Sequence, residues 1–221
     1  MLRLLAISVL ATLTACSAST LEADEPPPRT APLSTTATAT TSPPVVYVER
    51  LLTKAQLRDA IVGIEDLPTG YSVDRDQASG EGNKTFCDYK VPHREKIKVF
   101  TDFIKGGGLS TELIVANLRQ YASSAAAKES FSALTNTLKT CRSERSQGET
   151  VHYTLMSAPR LGDGSVGVRI EYDEGTNLSF FVLDGPVLIN VGAGGVLNVD
   201  ADKVASILKR QVRAYENSAT R

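Results

Sequence analysis

The chain has 221 residues, with 24 Lys and Arg against 25 Asp and Glu and a formal net charge of −1. That balance supplies no field to hold a nucleic acid or an anionic membrane surface, so neither is expected as a partner. Hydrophobic residues make up 42% of the chain and tryptophan is absent, an ordinary globular composition.

The N-terminus, MLRLLAISVLATLTACSAST, places Arg3 ahead of an apolar run from Leu4 to Leu13. A run of about ten residues matches the core of an export signal and falls short of the ~20 that a spanning helix needs. Leu13-Thr14-Ala15-Cys16 then resembles a bacterial lipobox, a branched apolar residue and two small ones before a cysteine. A thiol is nucleophilic enough to accept a diacylglyceryl group, and the small residues open the backbone to the signal peptidase. Residues 1–15 are therefore expected to be a lipoprotein signal peptide and Cys16 the lipidation site. Buried acyl chains at about 0.8 kcal/mol per methylene would anchor the protein to the membrane. Cleavage near Ser17 or Ala18, releasing a secreted protein, is the alternative.

Leu21 to Pro44 is rich in Pro, Thr, Ala and Ser and nearly empty of large apolar residues. Such a stretch buries too little surface to offset its ordering entropy, so residues 16–44 are read as a lipidated cysteine and a disordered tether. Residues 45–221 then form one domain of normal size.

Within the domain, TKAQLRDAIVGI predicts a helix capped by Thr53, with Leu57, Ile61 and Ile64 on one face. DLPTGYS predicts a turn. TFCDY, EKIKVFTDFI and STELIVANLRQY are of strand type. ASSAAAKESFSALTNTLKTC predicts a long helix whose stripe of Ala127, Phe131, Leu134, Leu138 and Cys141 turns Cys141 inward. VHYTLMSAP, SVGVRIEYD, TNLSFFVLD and VLINVGAG are further strands, and the short links EYDEGTNL and VLDGPV make them antiparallel hairpins. DADKVASILKRQVRAYE closes the chain as a helix capped by Asp200. The expected class is α+β, an antiparallel β-sheet with helices packed on it.

An exported chain with Cys87 and Cys141 left over is a disulfide candidate, with two free buried thiols the alternative. The bridge would staple the long helix to the strand carrying Cys87. Closing a loop of that size is worth about 4 kcal/mol on the chain-entropy model.

Catalytic signatures are weak. GAGG at Gly192 to Gly195 lacks the third glycine of a dinucleotide site and reads as a turn. Asp163-Gly164-Ser165-Val166-Gly167 has aspartate where a nucleophile elbow needs glycine. His93 and His152 have no metal-ligand spacing around them. Asp173 and Glu174 fall at a hairpin turn, and the basic residues of HREKIK at a strand end. No catalytic residue, metal or cofactor is expected. The apolar strands are more informative. Leu178, Phe180 and Val182 alternate with Ser179, Phe181 and Leu183, and VLINV is two-sided except at Asn190. A strand apolar on both faces needs cover on both, or one face lines a cavity. Phe180 and Phe181 are accordingly the candidate lining of an apolar ligand groove.

Taken together, DLPTGYS after an opening helix, Cys87, Cys141 at the end of an Ala-rich helix, and LGDGSVGVR resemble the PknH-like extracellular sensor domain. That family includes actinobacterial lipoproteins and the outer domain of a receptor-type serine/threonine kinase. The resemblance implies a sheet-and-helix sensor fold with a groove for an undefined ligand and no enzymatic activity. It also implies tight turns at Pro68–Gly70 and Gly162–Asp163, and a Cys87–Cys141 bridge. Kinase-linked members carry a second disulfide, for which this chain lacks the cysteines. The expectation is a lipid-anchored extracytoplasmic binding or sensor-like protein, its partner a small molecule, a lipid or an envelope protein. A lipid carrier with an apolar cavity is the runner-up.

Overall fold

The alternating segments of the sequence close into one sheet. The computed structural model describes residues 51–74, 86–87, 89–146, 148–173, 175–196 and 199–220. Residues 1–44, where a signal peptide, a lipidated Cys16 and a tether are expected, and Glu174 lie outside the described residues. Eight strands run in the order β1-β2-β3-β8-β7-β6-β5-β4, every neighbouring pair antiparallel. They are β1 (Ser72–Val73), β2 (Ile97–Lys105), β3 (Glu112–Gln120), β4 (Ser143–Ser146), β5 (Glu149–Met156), β6 (Gly164–Tyr172), β7 (Gly175–Asp184) and β8 (Val187–Gly195). Three α-helices accompany them among the described residues: α1 (Lys54–Asp59), α2 (Ser124–Thr140) and α3 (Ala201–Ala219). The α+β expectation holds.

Because side chains alternate along a strand, the register sorts them onto two faces. Ile114, Ala116 and Leu118 of β3, Leu178, Phe180 and Val182 of β7, and Ile189 and Val191 of β8 share one core. α1 and α3 close that face. Leu57 enters it from α1, and Val204, Ile207, Leu208, Val212 and Tyr215 enter it as one stripe from α3. Asp200 caps α3 by accepting from the N–H groups of Asp202 and Lys203. Gly167 lies opposite Phe180, where a Cβ would come within 2.8 Å of the ring. The missing side chain is what leaves room for that ring.

α2 packs on the other face. Leu134 and Leu138 meet Val151 and Tyr153 of β5 and Val168 and Ile170 of β6. Ser123 caps it, accepting from Ala126 N–H at 3.2 Å. Ala127, in its first turn, meets Leu183 of β7 and Leu188 of β8, so α2 crosses this face from β7–β8 to β5–β6.

Four local expectations change. The first helix ends at Asp59, leaving Ile61 half-buried and Ile64 exposed. Gln211 of α3, fully buried, donates to Ala60 O at 2.8 Å and accepts from Val62 N–H at 3.0 Å. A distant amide thus takes the backbone groups that another helical turn would need. Gln120 does the same at Leu52, accepting from its N–H and donating to its carbonyl. Within TFCDY, Phe86 and Cys87 form a turn, with Tyr89 N–H bonded to Phe86 O at 2.8 Å and Cys87 at φ 43°. Residues Gly192–Gly195 are strand, not turn, since β3 and β7 pair with β8 along its whole length. Two short strands were not anticipated, β1 within DLPTGYS and β4 after the long helix.

Cys87 and Cys141 are joined by a disulfide, their Cα atoms 5.9 Å apart. Cys141 is the C-cap of α2, but Cys87 lies in the turn. The bridge therefore staples helix end to turn rather than helix to strand. Among the described residues no helix is long and apolar enough to cross a membrane.

Candidate functional site

The face that carries α2 is only partly covered, and its uncovered part is a groove of about 310 Å³. The register lays its floor out as a grid. One row runs Phe100, Asn117, Asn190, Phe181 across β2, β3, β8 and β7. The next runs Asp102, Val115, Gly192, Ser179, and the one beyond Leu113, Gly194, Asn177. On the other side of the first row, Lys98 pairs with Arg119, which pairs with Leu188.

The trough deepens along the end of β8, where Gly192 and Gly194 present no side chain to it. A Cβ on Gly192 would come within 3.0 Å of Ser179 Oγ and 3.1 Å of Leu178 O, and one on Gly194 would run into the Asn177 amide. These glycines are there for the space they leave. Neither has a positive φ.

The disulfide builds one wall. Phe86, next to Cys87, stands edge-on to both Tyr153 and Phe181, with ring centroids 5.4 and 6.3 Å apart. Glu144 accepts from Cys87 N–H at 2.8 Å and from the Tyr153 hydroxyl, fixing the turn. Tyr89 donates to Ser130 O at 3.0 Å, and His93 meets Glu129 at 2.5 Å. The segment after the bridge is thus fastened to α2 at successive points. Burial pushes the Tyr89 hydroxyl up to about 12, so it stays protonated and donating.

The polar chemistry of the floor is directional. Asn190 Nδ2 donates to Phe180 O at 2.9 Å, and Asn117 Nδ2 donates to Asn190 Oδ1 at 2.8 Å. A backbone carbonyl can only accept, so it orients Asn190, and Asn190 in turn orients Asn117. Asn117 Oδ1 is left buried without a hydrogen-bond partner among the described residues, on a residue 6% exposed. Asp102, 5% exposed, likewise has Oδ1 unpartnered. Burial pushes its carboxyl above the usual carboxylate range, helped by Asp74 and opposed by Lys98. At the basic end, half-buried Arg119 makes no ion pair among the described residues.

The two candidate groove residues part company. Phe181 lines the groove, but Phe180, 2% exposed, points into the opposite core. Adjacent strand residues cannot share a face. The polar floor residues Asp102, Asn117 and Arg119 were not singled out in the sequence. The one available signal was Asn190 interrupting VLINV. Elsewhere, Ser165 donates to Pro159 O at 2.6 Å from within β6, away from any elbow geometry. His152 is exposed on β5, and among the described residues no group of His, Cys, Asp or Glu is arranged to hold a metal. Gly70 and Gly162 adopt positive φ, as tight turns at those places require.

No family model matches the chain, and no curated protein matches it in sequence. A solved structure does match. The crystal structure of the extracellular domain of PknH from Mycobacterium tuberculosis superposes with a TM-score of 0.55 at 8% identity, covering 77% of this chain and 100% of that one. The fold is similar to that of the PknH extracellular domain. An uncharacterized protein from Mycobacterium smegmatis overlaps more loosely, at a TM-score of 0.34 and 9% identity over 52% of this chain and 63% of its own. The likeness to the PknH extracellular domain is one of fold, and the sheet and helices expected from the sequence resemblance agree with it.

Proposed function

We propose that this chain is a lipid-anchored, extracytoplasmic binding or sensor-like protein that holds a ligand in the groove beside α2 and performs no catalysis. The observation that carries the reading is the groove itself: one face of a well-covered sheet is left open over a floor that contains two buried, unpartnered acceptors. Buried polar groups without partners are rare and cost about 1–3 kcal/mol each, so a fold that keeps two of them on groove-lining residues is suited to a bound molecule. The extracytoplasmic placement draws on the export signal, the disulfide and the fold shared with an extracellular domain. Lipidation at Cys16 and the tether of residues 16–44 draw on the lipobox and on composition.

The carrier reading is favoured by one observation, the predominance of apolar side chains around the groove. At about 310 Å³ the groove is near the small end of ligand sites, roughly 300–1,000 Å³, which suits part of a lipid rather than a whole one.

Native mass spectrometry of the chain purified from an exporting host tests the ligand. Extra mass that leaves on denaturation is expected, and Ser179→Leu, which fills the floor, should abolish it. A bare mass in both would count against a resident ligand. Cys16→Ala should abolish labelling by a palmitate analogue, and retained label would remove the anchor.

A further inference from the structure

We infer that the groove takes an amphiphile with a neutral, polyhydroxylated head of the sugar class and an apolar tail. This rests on the groove being a ligand site and names the chemistry it selects. Asn117 Oδ1 and Asp102 Oδ1 are both acceptors with no donor supplied by the described residues. With Asn190 held by Phe180 O, the Asn117 amide cannot turn its donor outward without breaking its hydrogen bond to Asn190 Oδ1. The ligand must therefore bring donors.

The spacing asks for more than one of them. Asp102 pairs with Val115 and Asn117 with Phe100, so the two acceptors are diagonal neighbours on adjacent strands. Such neighbours have backbones about 7–8 Å apart, a distance that hydroxyls around a single ring can reach from between them.

Charge selects among donors. An ammonium head would suit Asp102 but would share the groove with Lys98 and Arg119, two cations of its lining. A phosphate head would suit Arg119 but would leave Asp102 and Asn117 facing more acceptors. A hydroxyl both donates and accepts. It satisfies Asp102 and Asn117 and takes a hydrogen bond from Arg119 without importing charge. The ring of Phe100, on the same row as Asn117 and 44% exposed, adds apolar surface at this end of the groove, with Lys98 Nζ 5.7 Å from its centroid. Val115 and the glycine floor of β8 leave an apolar lane for the tail.

The test follows backbone amide shifts of the isotope-labelled full chain on titration with octyl glucoside below its critical micelle concentration. Octyl trimethylammonium, octyl phosphate and tail-less methyl glucoside serve as comparisons. Octyl glucoside should bind at least tenfold more tightly than each of the three, with shifts centred on β3 and β8. Asp102→Asn, which keeps the shape, should reduce that preference about tenfold while leaving binding of the octyl tail measurable. Equal binding of the three octyl compounds, or a preference for the charged heads, would overturn the sugar-head inference yet leave the groove reading standing. Binding that Ser179→Leu does not weaken, or no binding by any probe, would overturn the groove reading along with it.

Discussion

The two faces of the sheet are built from the same strands and end up with opposite uses. Under α1 and α3, residues such as Ile114, Phe180, Val191 and Ile207 are almost completely buried, and the buried amides Gln120 and Gln211 have their hydrogen bonds made. Under α2, the helix covers one side, and the floor beyond it sets glycine, serine, asparagine and one aspartate among apolar residues such as Phe100 and Val115, with acceptors left over. One face holds the fold, and the other holds open a space. The difference shows how a strand can be uniformly buried in character and still serve two purposes, because side-chain parity separates them residue by residue.

Adjacent phenylalanines give the sharpest way to break that comparison. Phe180→Ala should cost about 3–5 kcal/mol, since it empties a filled core. Phe181→Ala, at the rim of an existing groove, should cost clearly less while weakening ligand binding. Paired thermal melts with a binding assay check this, and equal destabilisation would mean that the groove face is as essential to folding as the core.

Next in size is the bridge. Cys87→Ser releases a loop with a sequence separation of 54 residues, worth about 4 kcal/mol on the chain-entropy model. It also frees the turn that presents Phe86. Denaturant unfolding of the oxidised protein should register the loss, and an unchanged midpoint would count against the bridge as a stabilising element.

Gln211→Leu should cost about 1–3 kcal/mol, because Ala60 O and Val62 N–H would be buried without partners. Amide exchange should rise locally at Val62. An unaltered exchange rate there would show that water substitutes for the amide.

The smallest effect has the opposite sign. Asp102 holds its proton more tightly in the folded chain than in the unfolded one, because burial raises its pKa. Stability contributed by this residue is therefore greatest in acid and falls as pH rises through the window above the unfolded carboxylate value. Asp102→Asn should flatten that slope and raise the melting temperature at neutral pH, even as it weakens the binding inferred above. A function-bearing group that destabilises its host is a common trade. A lower melting temperature at neutral pH would instead mean that the carboxylate holds the fold together.

Legibility in the sequence followed distance along the chain. α2 was readable from its apolar stripe and α3 from its stripe and its cap at Asp200, which are local patterns. The hairpins β6–β7 and β7–β8 were readable from their short turns. α1 was drawn too long because the residue that ends it, Gln211, is 149 positions from the N–H it accepts from. The strand expected around Cys87 became a turn because Glu144 and the disulfide hold that backbone from elsewhere in the chain. The groove residues escaped for the same reason. Asp102, Asn117 and Asn190 lie on three separate strands and become neighbours only through register.

By itself, the sequence determined the α+β class, the antiparallel hairpins, the two long helices and the pairing of the only cysteines available after Cys16. Each of these rests on period, turn chemistry or counting, which neighbouring residues carry among themselves. Only the tertiary structure decided which of Phe180 and Phe181 faces the groove, why β8 needs its glycines, and where an acceptor is left without a donor. Those depend on what a distant strand or helix places opposite a given atom.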